Sequence, residues 1–182
     1  MDKFNLLIDK VSKKLRPMSE VDKADASVCL LLKRVNNEVE ALFVKRVENP
    51  TDPWSGQMAL PGGKRDQRDL NLQQTVIRET LEETGINLLD CSRLLGALEP
   101  LRSTQKPEMK ILSFIFLLER EPSIVLNEEL ERFVWIPIHK LRQSRGFFKT
   151  DWGSLPAYIV GNDIIWGLTY RILEKFMETV GE

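Results

Sequence analysis

Apolar residues recur at helix or strand spacing along most of the chain. Near the start they lie three or four positions apart, which predicts an N-terminal helix over residues 2–15 that ends before Pro17. The apolar runs SVCLLLKRV and EALFVKRV, separated by the turn signal Asn36-Asn37, predict a β-hairpin. The following segment, VENPTDPWSGQ, contains two prolines and a glycine and predicts a loop, whereas MALPGG predicts a short strand that enters a glycine turn.

The second half of the chain alternates strand and helix patterns in the same way. The segment NLQQTVIRETLEETG predicts a well-defined helix, with Asn71 and Gln74 at its start and Gly85 as its C-cap. Strands are predicted for INLLDCSRLLGALEPL, MKILSFIFLLER and RFVWIPI, with a short helical turn near HKLRQ and a second long loop over residues 143–157. AYIV and DIIW predict two strands around Gly161, and GLTYRILEKFMETV predicts a C-terminal helix. This order predicts an α/β sandwich around a mixed β-sheet.

Length and composition indicate an ordinary globular chain. It has 182 residues, 42% hydrophobic and 29% charged, with no apolar run long enough for a membrane span. We expect an N-terminal helix and lead-in over residues 1–24 and one domain over residues 25–182. A net charge of -1 gives no general attraction for nucleic acid, so no nucleic-acid partner is expected. The first residues lack the apolar core of a secretory signal and include early acidic residues, which predicts a cytoplasmic location.

The stretch RETLEETG, residues 78–85, concentrates negative charge on one face of its predicted helix. At about 100° per residue, Glu79, Glu82 and Glu83 share one arc, and like charges at this spacing cost about 0.2–0.5 kcal/mol per pair. Arg78 neutralises only part of this charge, so a hard divalent cation such as Mg²⁺ or Mn²⁺ would offset the rest. The alternative is a solvated acidic face. The glycines of the upstream LPGGK and the absence of interleaved lysine favour the metal.

The segment GGKRDQRDLNLQQTVIRETLEETGI resembles the Nudix box: a glycine, five residues, a glutamate, seven residues, then Arg-Glu-apolar-x-Glu-Glu-x-Gly-apolar. The positions that match by type and order are Gly63, Arg78, Glu79, Glu82, Glu83, Gly85 and Ile86. Asp69 replaces the first glutamate, eight residues separate it from Arg78, and Thr80 stands at an apolar position. The aspartate, the extra residue, GQMALPGG and IWGLTYRIL resemble the coenzyme A pyrophosphatase branch, whereas NPTDPWSG and Leu60 depart from its upstream signature.

This resemblance implies a Nudix-type α/β/α sandwich that hydrolyses the diphosphate bond of a nucleoside diphosphate linked to another group, with water as the nucleophile. The metal ligands that it implies for Mg²⁺ or Mn²⁺ are three carboxylates and one carbonyl, those of Glu79, Glu82, Glu83 and Gly63. The resemblance implies that Arg78 holds Glu82 in position. Family members often draw a general base or an additional metal ligand from a loop before a late strand, where LNEELERFVWIPI offers Glu128 and Glu129. Of these two we favour Glu129.

The loops are predicted to choose the substrate. The basic candidates for phosphate are Lys64, Arg65, Arg102 and Lys106, and the aromatic candidates for stacking on a base are Trp54, Phe147, Phe148 and Trp152. The expected partner is a small-molecule nucleotide, either coenzyme A or a derivative, with ADP-ribose, NADH and dinucleoside polyphosphates still open. IWGLTYRIL is predicted as core and as a homodimer surface.

Two other functions compete with hydrolysis. One is a non-catalytic nucleotide-sensing module of the same fold, but the complete set of helix carboxylates together with Arg78 favours the enzyme. The other is an isopentenyl diphosphate isomerase, an enzyme that reuses this fold. It is disfavoured because no cysteine lies beside the expected site.

Overall fold

The computed structural model of the chain describes residues 3–16, 23–51, 55–151 and 153–181. The helices in these ranges are α1 Lys3–Lys14, α2 Leu72–Thr84, α3 Leu88–Cys91, α4 Ile138–Gln143 and α5 Gly167–Val180. The strands are β1 Ala26–Val35, β2 Glu38–Arg46, β3 Met58–Ala59, β4 Gly62–Lys64, β5 Ser92–Ala97, β6 Leu101–Arg102, β7 Lys110–Leu118, β8 Leu130–Pro137, β9 Arg145–Thr150, β10 Gly153–Val160 and β11 Asp163–Trp166. No helix in the described ranges has the length and apolar character needed to cross a membrane.

The main sheet is mixed and is organised around β1. Its central order is β3-β2-β1-β7-β5, with β4 paired to β1, β6 to β7 and β8 to β2. Strand β1 runs parallel to β7 and antiparallel to β2 and β4. Strands β9, β10 and β11 form a separate antiparallel sheet, which we call the accessory sheet.

The main sheet is buried on both faces, which explains the continuous apolar run in β1. Leu30 and Leu32 pack into one cluster with residues of α1, α5 and the accessory sheet. Cys29 and Leu31 pack into the other with residues of α2 and α3. Because successive strand residues point to opposite faces, a run without polar alternation suits a strand covered on both sides. The predicted α/β sandwich around a mixed sheet is therefore confirmed.

The first hairpin and helix α2 were predicted correctly from local sequence signals. Asn36, in the turn between β1 and β2, has a positive φ of 56°, a conformation that asparagine tolerates better than most residues. Helix α2 begins after Asn71, whose side chain accepts a hydrogen bond from the Gln74 backbone nitrogen. It ends at Gly85, which is left-handed with a φ of 71°. The acidic residues of the box-like segment therefore lie on one fixed helix.

Two predictions of local structure were wrong. Residues 143–157, predicted as a loop because of their glycine and proline content, form β9 and most of β10. Pro156 is tolerated because it pairs with Phe147 of β9 just before the stretch of β10 that pairs with β11 begins. The segment predicted as one strand from residue 86 first forms α3, whose N-cap Asn87 accepts from the Leu89 backbone nitrogen, and only then β5.

Candidate active site

The glycine turn and helix α2 meet at the start of the site. The Gly62 backbone nitrogen donates a hydrogen bond of 2.9 Å to Glu83 Oε2. Gly62 has a φ of +146°, and a β-carbon there would lie 2.3 Å from the Ser27 carbonyl oxygen of β1. The lack of a side chain therefore lets the turn pair with β1 and still reach the helix.

Glu83 is the most enclosed carboxylate of the site. Its side chain is 7% exposed, and the Arg46 guanidinium approaches it at 3.9 Å between Nη1 and Oε1. Burial raises the pKa of Glu83 to about 7, a rise that the Gly62 hydrogen bond opposes and that the neighbouring Glu79 reinforces. A buried carboxylate of this kind ionises easily only when a cation is close to it.

Arg78 holds the acidic cluster together. Its guanidinium makes a two-point contact with Asp69, 3.0 Å from Nε to Oδ1 and 2.8 Å from Nη2 to Oδ2. Its Nη1 also donates to Glu79 at 2.9 Å and to Glu82 at 3.1 Å. Asp69 is 6% exposed on its side chain and also accepts from the Thr75 hydroxyl. The Arg78 guanidinium holds the pKa of Asp69 well below its usual range.

The three predicted helix ligands differ in position. Glu79 and Glu83 line a cavity together with Gly63, whereas Glu82 is 56% exposed on its side chain and is absent from the cavity wall. In the described part of the chain, no three His, Cys, Asp or Glu side chains converge closely enough to hold an ion as they stand. Glu79 and Glu82 are instead paired with Arg78.

The donor chemistry nevertheless fits a hard divalent cation. A β-carbon at Gly63 would lie 2.5 Å from the Glu79 carboxylate carbon, so the missing side chain leaves room for that carboxylate against the turn. The available donors are carboxylate and backbone carbonyl oxygens, which Mg²⁺ and Mn²⁺ prefer. Burial also raises the pKa of Glu79, and the hydrogen bond from Arg78 opposes that rise.

The cavity has a polar mouth and an apolar wall. Its volume is about 330 Å³. The polar groups around it include Arg46, Gln57 and Glu129, and its apolar wall comes from β1, β7 and α5 through Ala26, Val28, Ile111, Leu168 and Ile172. Such a combination of few polar groups and an apolar lining is typical of small-molecule sites.

Two residues from outside α2 complete the charged mouth of the cavity. Glu129 lies before β8, and its side chain is 59% exposed, with Oε2 3.8 Å from Arg46 Nη2. Glu128 does not line the cavity. Sequence reasoning missed Arg46, which lies at the end of β2 between Glu83 and Glu129. The available signal was its position as the last strand residue before a long loop, where binding residues are common.

The predicted substrate residues are dispersed. Lys64 lines the cavity, whereas Arg65 donates to the backbone oxygens of Asp69 and Leu70 within its own loop. Arg102 donates to the Pro107 carbonyl, and neither it nor Lys106 lines the cavity.

The aromatic candidates do not meet the cavity either. Phe148 lines a different cleft, beside Trp166, whereas Phe147 is 71% exposed. Trp54 and Trp152 lie outside the described residues. The predicted grouping of basic and aromatic residues in two loops therefore does not form one surface in the described structure.

Substitutions of the two glycines of the turn are expected to have different effects, one on stability and the other on activity. Gly62→Ala would place a methyl group against β1 backbone, so we expect a loss of about 3 kcal/mol in the free energy of unfolding. Gly63→Ala meets only the Glu79 side chain, which can move. We expect the fold to be retained and turnover to fall about tenfold to a hundredfold because the carboxylate is displaced. Urea unfolding and steady-state kinetics on both variants test this, and the reverse pattern would contradict it.

The chain matches the NUDIX domain family over residues 23–158. A Schizosaccharomyces pombe protein whose name states no function is 42% identical over 55% of this chain and 32% of its own length. The human protein named mitochondrial coenzyme A diphosphatase NUDT8 is 28% identical over 83% of this chain and 67% of its own. The Caenorhabditis elegans protein named peroxisomal coenzyme A diphosphatase ndx-8 is 32% identical over 67% and 52%. The chain thus spans about a third of the first protein and about half of the third.

Solved structures share the fold. The NUDIX domain of Shewanella oneidensis NrtR, solved in complex with ADP ribose, superposes with a TM-score of 0.56 at 15% identity and covers 98% of both chains. The MutT protein of Methanosarcina mazei Go1 superposes with a TM-score of 0.57 at 21% identity over 90% of this chain and 99% of its own. At such identities the likeness establishes the architecture around the site and nothing further.

Proposed function

The chain belongs to the Nudix family, and on that premise we propose that it hydrolyses the diphosphate bond of coenzyme A or of a derivative of it. The observation that carries the proposal is the enclosed Glu83 carboxylate, held by the Gly62 nitrogen in the wall of a cavity that Glu79 and Glu129 also line. The names of the human and nematode relatives support the choice of coenzyme A.

The residues that would hold Mg²⁺ or Mn²⁺ are the proposed ligands Glu79, Glu82, Glu83 and the Gly63 carbonyl. Such an ion, when bound, stabilises negative charge on the phosphoryl group and makes a bound water more acidic. Glu83 is pre-positioned for this role because one of its oxygens is fixed by the glycine turn while the other faces Arg46. Glu82 has to rotate inward from its exposed position to take part.

The remaining charged groups have separate tasks in this proposal. Arg78 is a positioning residue, since its contacts run to Asp69, Glu79 and Glu82 and it does not line the cavity. Glu129 is the proposed general base because its exposed carboxylate lines the cavity mouth, within reach of water. Arg46 and Lys64, which line the same cavity, are the cations proposed to meet the diphosphate.

A substrate panel tests the function directly. Coenzyme A, ADP-ribose, NADH, dinucleoside polyphosphates and nucleoside triphosphates are each incubated with the chain and Mg²⁺ or Mn²⁺, and products are separated by chromatography. We expect coenzyme A to be cleaved within its diphosphate, with phosphopantetheine and an adenosine bisphosphate as products. Preferred cleavage of ADP-ribose or NADH would support hydrolysis as the function but would show that the substrate is not coenzyme A. Tight binding of a nucleotide without any cleavage would favour the sensing module.

The predicted cytoplasmic location and the dimer surface at IWGLTYRIL stay predictions. The names of the human and nematode relatives place those proteins in mitochondria and peroxisomes. This segment, residues 165–173, begins in β11 and continues into α5, and its Ile165, Ile172 and Leu173 are buried in the core. The burial of this segment in the core therefore involves only packing within one chain.

A further inference from the structure

A second cleft lies beside the catalytic cavity. Its volume is about 570 Å³, and its described lining consists of residues 48–50 and 55–57, Gln105, and Phe148 and Trp166 of the accessory sheet. Gln57 lines both spaces, so the cleft and the catalytic cavity are neighbours on the two sides of one residue. Strand β11 of the accessory sheet packs against β3, which leads into the glycine turn. The cleft is therefore held at a fixed position relative to the catalytic carboxylates.

An aromatic pair forms one wall of the cleft. The rings of Phe148 and Trp166 have centroids 5.8 Å apart and are inclined at 45° to each other. Both side chains are partly buried, and neither belongs to the two apolar clusters that form the core. The two rings are neighbours, and both line the cleft. Such a surface suits stacking with a planar ligand.

The rest of the described lining of the cleft is mainly polar. Gln57 and Gln105 contribute amide side chains, a group that has both hydrogen-bond donors and acceptors, whereas the Asn49 amide oxygen already accepts from Thr51. Glu48 contributes a carboxylate, which accepts from amino groups and repels phosphate. Among the described residues that line the cleft there is no Lys or Arg. These features favour an uncharged heterocycle with an amino group over a phosphate group.

We propose that this cleft binds the nucleobase of the substrate, an amino-bearing heterocycle such as adenine, while the diphosphate lies at the catalytic cavity. This assignment rests on the proposed function in so far as it takes the substrate to be a nucleotide. It places base recognition on the accessory sheet, which contributes no catalytic carboxylate, and so separates the choice of base from the hydrolytic step.

Adjacent phenylalanines on β9 provide a matched test. Phe148→Leu removes a ring from the cleft, whereas Phe147→Leu makes the same change at a side chain that is 71% exposed outside it. Binding of adenosine 5′-monophosphate and of phosphopantetheine to the full chain in a chelator is measured by calorimetry. We expect Phe148→Leu to weaken binding of the adenosine ligand about tenfold and to leave phosphopantetheine unchanged, while Phe147→Leu changes neither. Gln105→Ala, a surface change outside the aromatic pair, should also weaken binding of the adenosine ligand and leave binding of phosphopantetheine unchanged.

The outcomes separate this proposal from the proposed function. If coenzyme A is hydrolysed but Phe148→Leu and Gln105→Ala leave adenosine binding unchanged, base recognition in this cleft is wrong and the hydrolase stands. If adenosine binding is lost as expected but no diphosphate is cleaved, the base site stands and the hydrolase fails. Selective loss of phosphopantetheine binding would assign the cleft to the other end of the substrate and overturn the proposal. Equal weakening by Phe147→Leu would overturn it as well. Thermal melting of each variant verifies its fold.

Discussion

Replacing Glu83 by glutamine is expected to lower turnover about a hundredfold to a thousandfold without weakening the fold. Glutamine keeps an oxygen that can accept from the Gly62 nitrogen, so the contact between the glycine turn and α2 survives. It removes the negative charge at the most enclosed position of the cavity, which the proposed metal needs. Steady-state kinetics with the best substrate of the panel measure the loss, and calorimetric Mn²⁺ titration measures the change in metal affinity.

The same substitution has an expected effect on stability. Because the folded-state pKa of Glu83 is raised to about 7, the folded chain holds this proton more tightly than the unfolded chain does. The resulting stability is fully present below the unfolded pKa of about 4.3 and is lost as the pH rises through 7. In a chelator, Glu83→Gln should therefore gain stability relative to the parent between pH 5 and pH 8.

Glu128→Gln is the matched control, since Glu128 precedes Glu129 and does not line the cavity. It should retain near-parental turnover and metal affinity. Unchanged turnover in Glu83→Gln would show that the metal site is wrongly assigned. Unfolding of Glu83→Gln at neutral pH would show instead that this carboxylate is needed for the fold.

Asp69→Asn is expected to lower the free energy of unfolding at pH 7 by about 2 kcal/mol. The side chain is 6% exposed and makes a two-point contact with Arg78, so the neutral amide leaves that guanidinium without its main buried counter-charge. Because Arg78 keeps its contacts to Glu79 and Glu82, the cost is below that of a fully buried broken pair. Urea unfolding of parent and variant measures the difference.

The pH dependence distinguishes this ion pair from simple packing. Since the folded-state pKa of Asp69 lies below its unfolded value, the stability from the pair is present above about pH 4 and is lost as the pH falls further. The difference in the free energy of unfolding between the parent and Asp69→Asn should therefore become smaller below pH 4. Asp66→Asn is the control in the same turn, because Asp66 pairs with an Arg68 side chain that is 85% exposed, and it should change stability little. A gap that stays constant with pH would contradict the ion-pair explanation.

Helix α2 was predictable because its determinants are close together in sequence. Asn71, Gln74 and Gly85 define its ends through contacts within a few residues, and the spacing of Glu79 and Glu83 places both on one face. The contacts that each charged residue makes within the acidic cluster were harder to predict from the sequence. The prediction linked Arg78 to Glu82, whereas the strongest contacts of Arg78 run to Asp69, nine residues earlier. That contact depends on the path of the preceding loop, which residue spacing does not specify.

The accessory sheet shows the opposite case. Pairing of Phe147 with Pro156 and of Ala157 with Trp166 depends on register between separate strands, while the glycine and proline of the segment are local signals for a loop. The position of Phe148 beside Trp166 follows only from that register. Arg46 was missed for a related reason, since its partners Glu83 and Glu129 come from two distant parts of the chain.

The central place of β1 also has a consequence for how the chain folds. This strand pairs with β7, which lies more than 80 residues later, and with the glycine turn at β4. During synthesis the apolar run of β1 therefore has one unpaired edge until β7 emerges from the ribosome. Parallel pairing over such a separation closes slowly, and an apolar strand with an open edge is prone to aggregate in the interval. We therefore expect the carboxylate site to form late, because the turn that holds Glu83 pairs with β1, and the other neighbour of β1 is synthesised only in the second half of the chain.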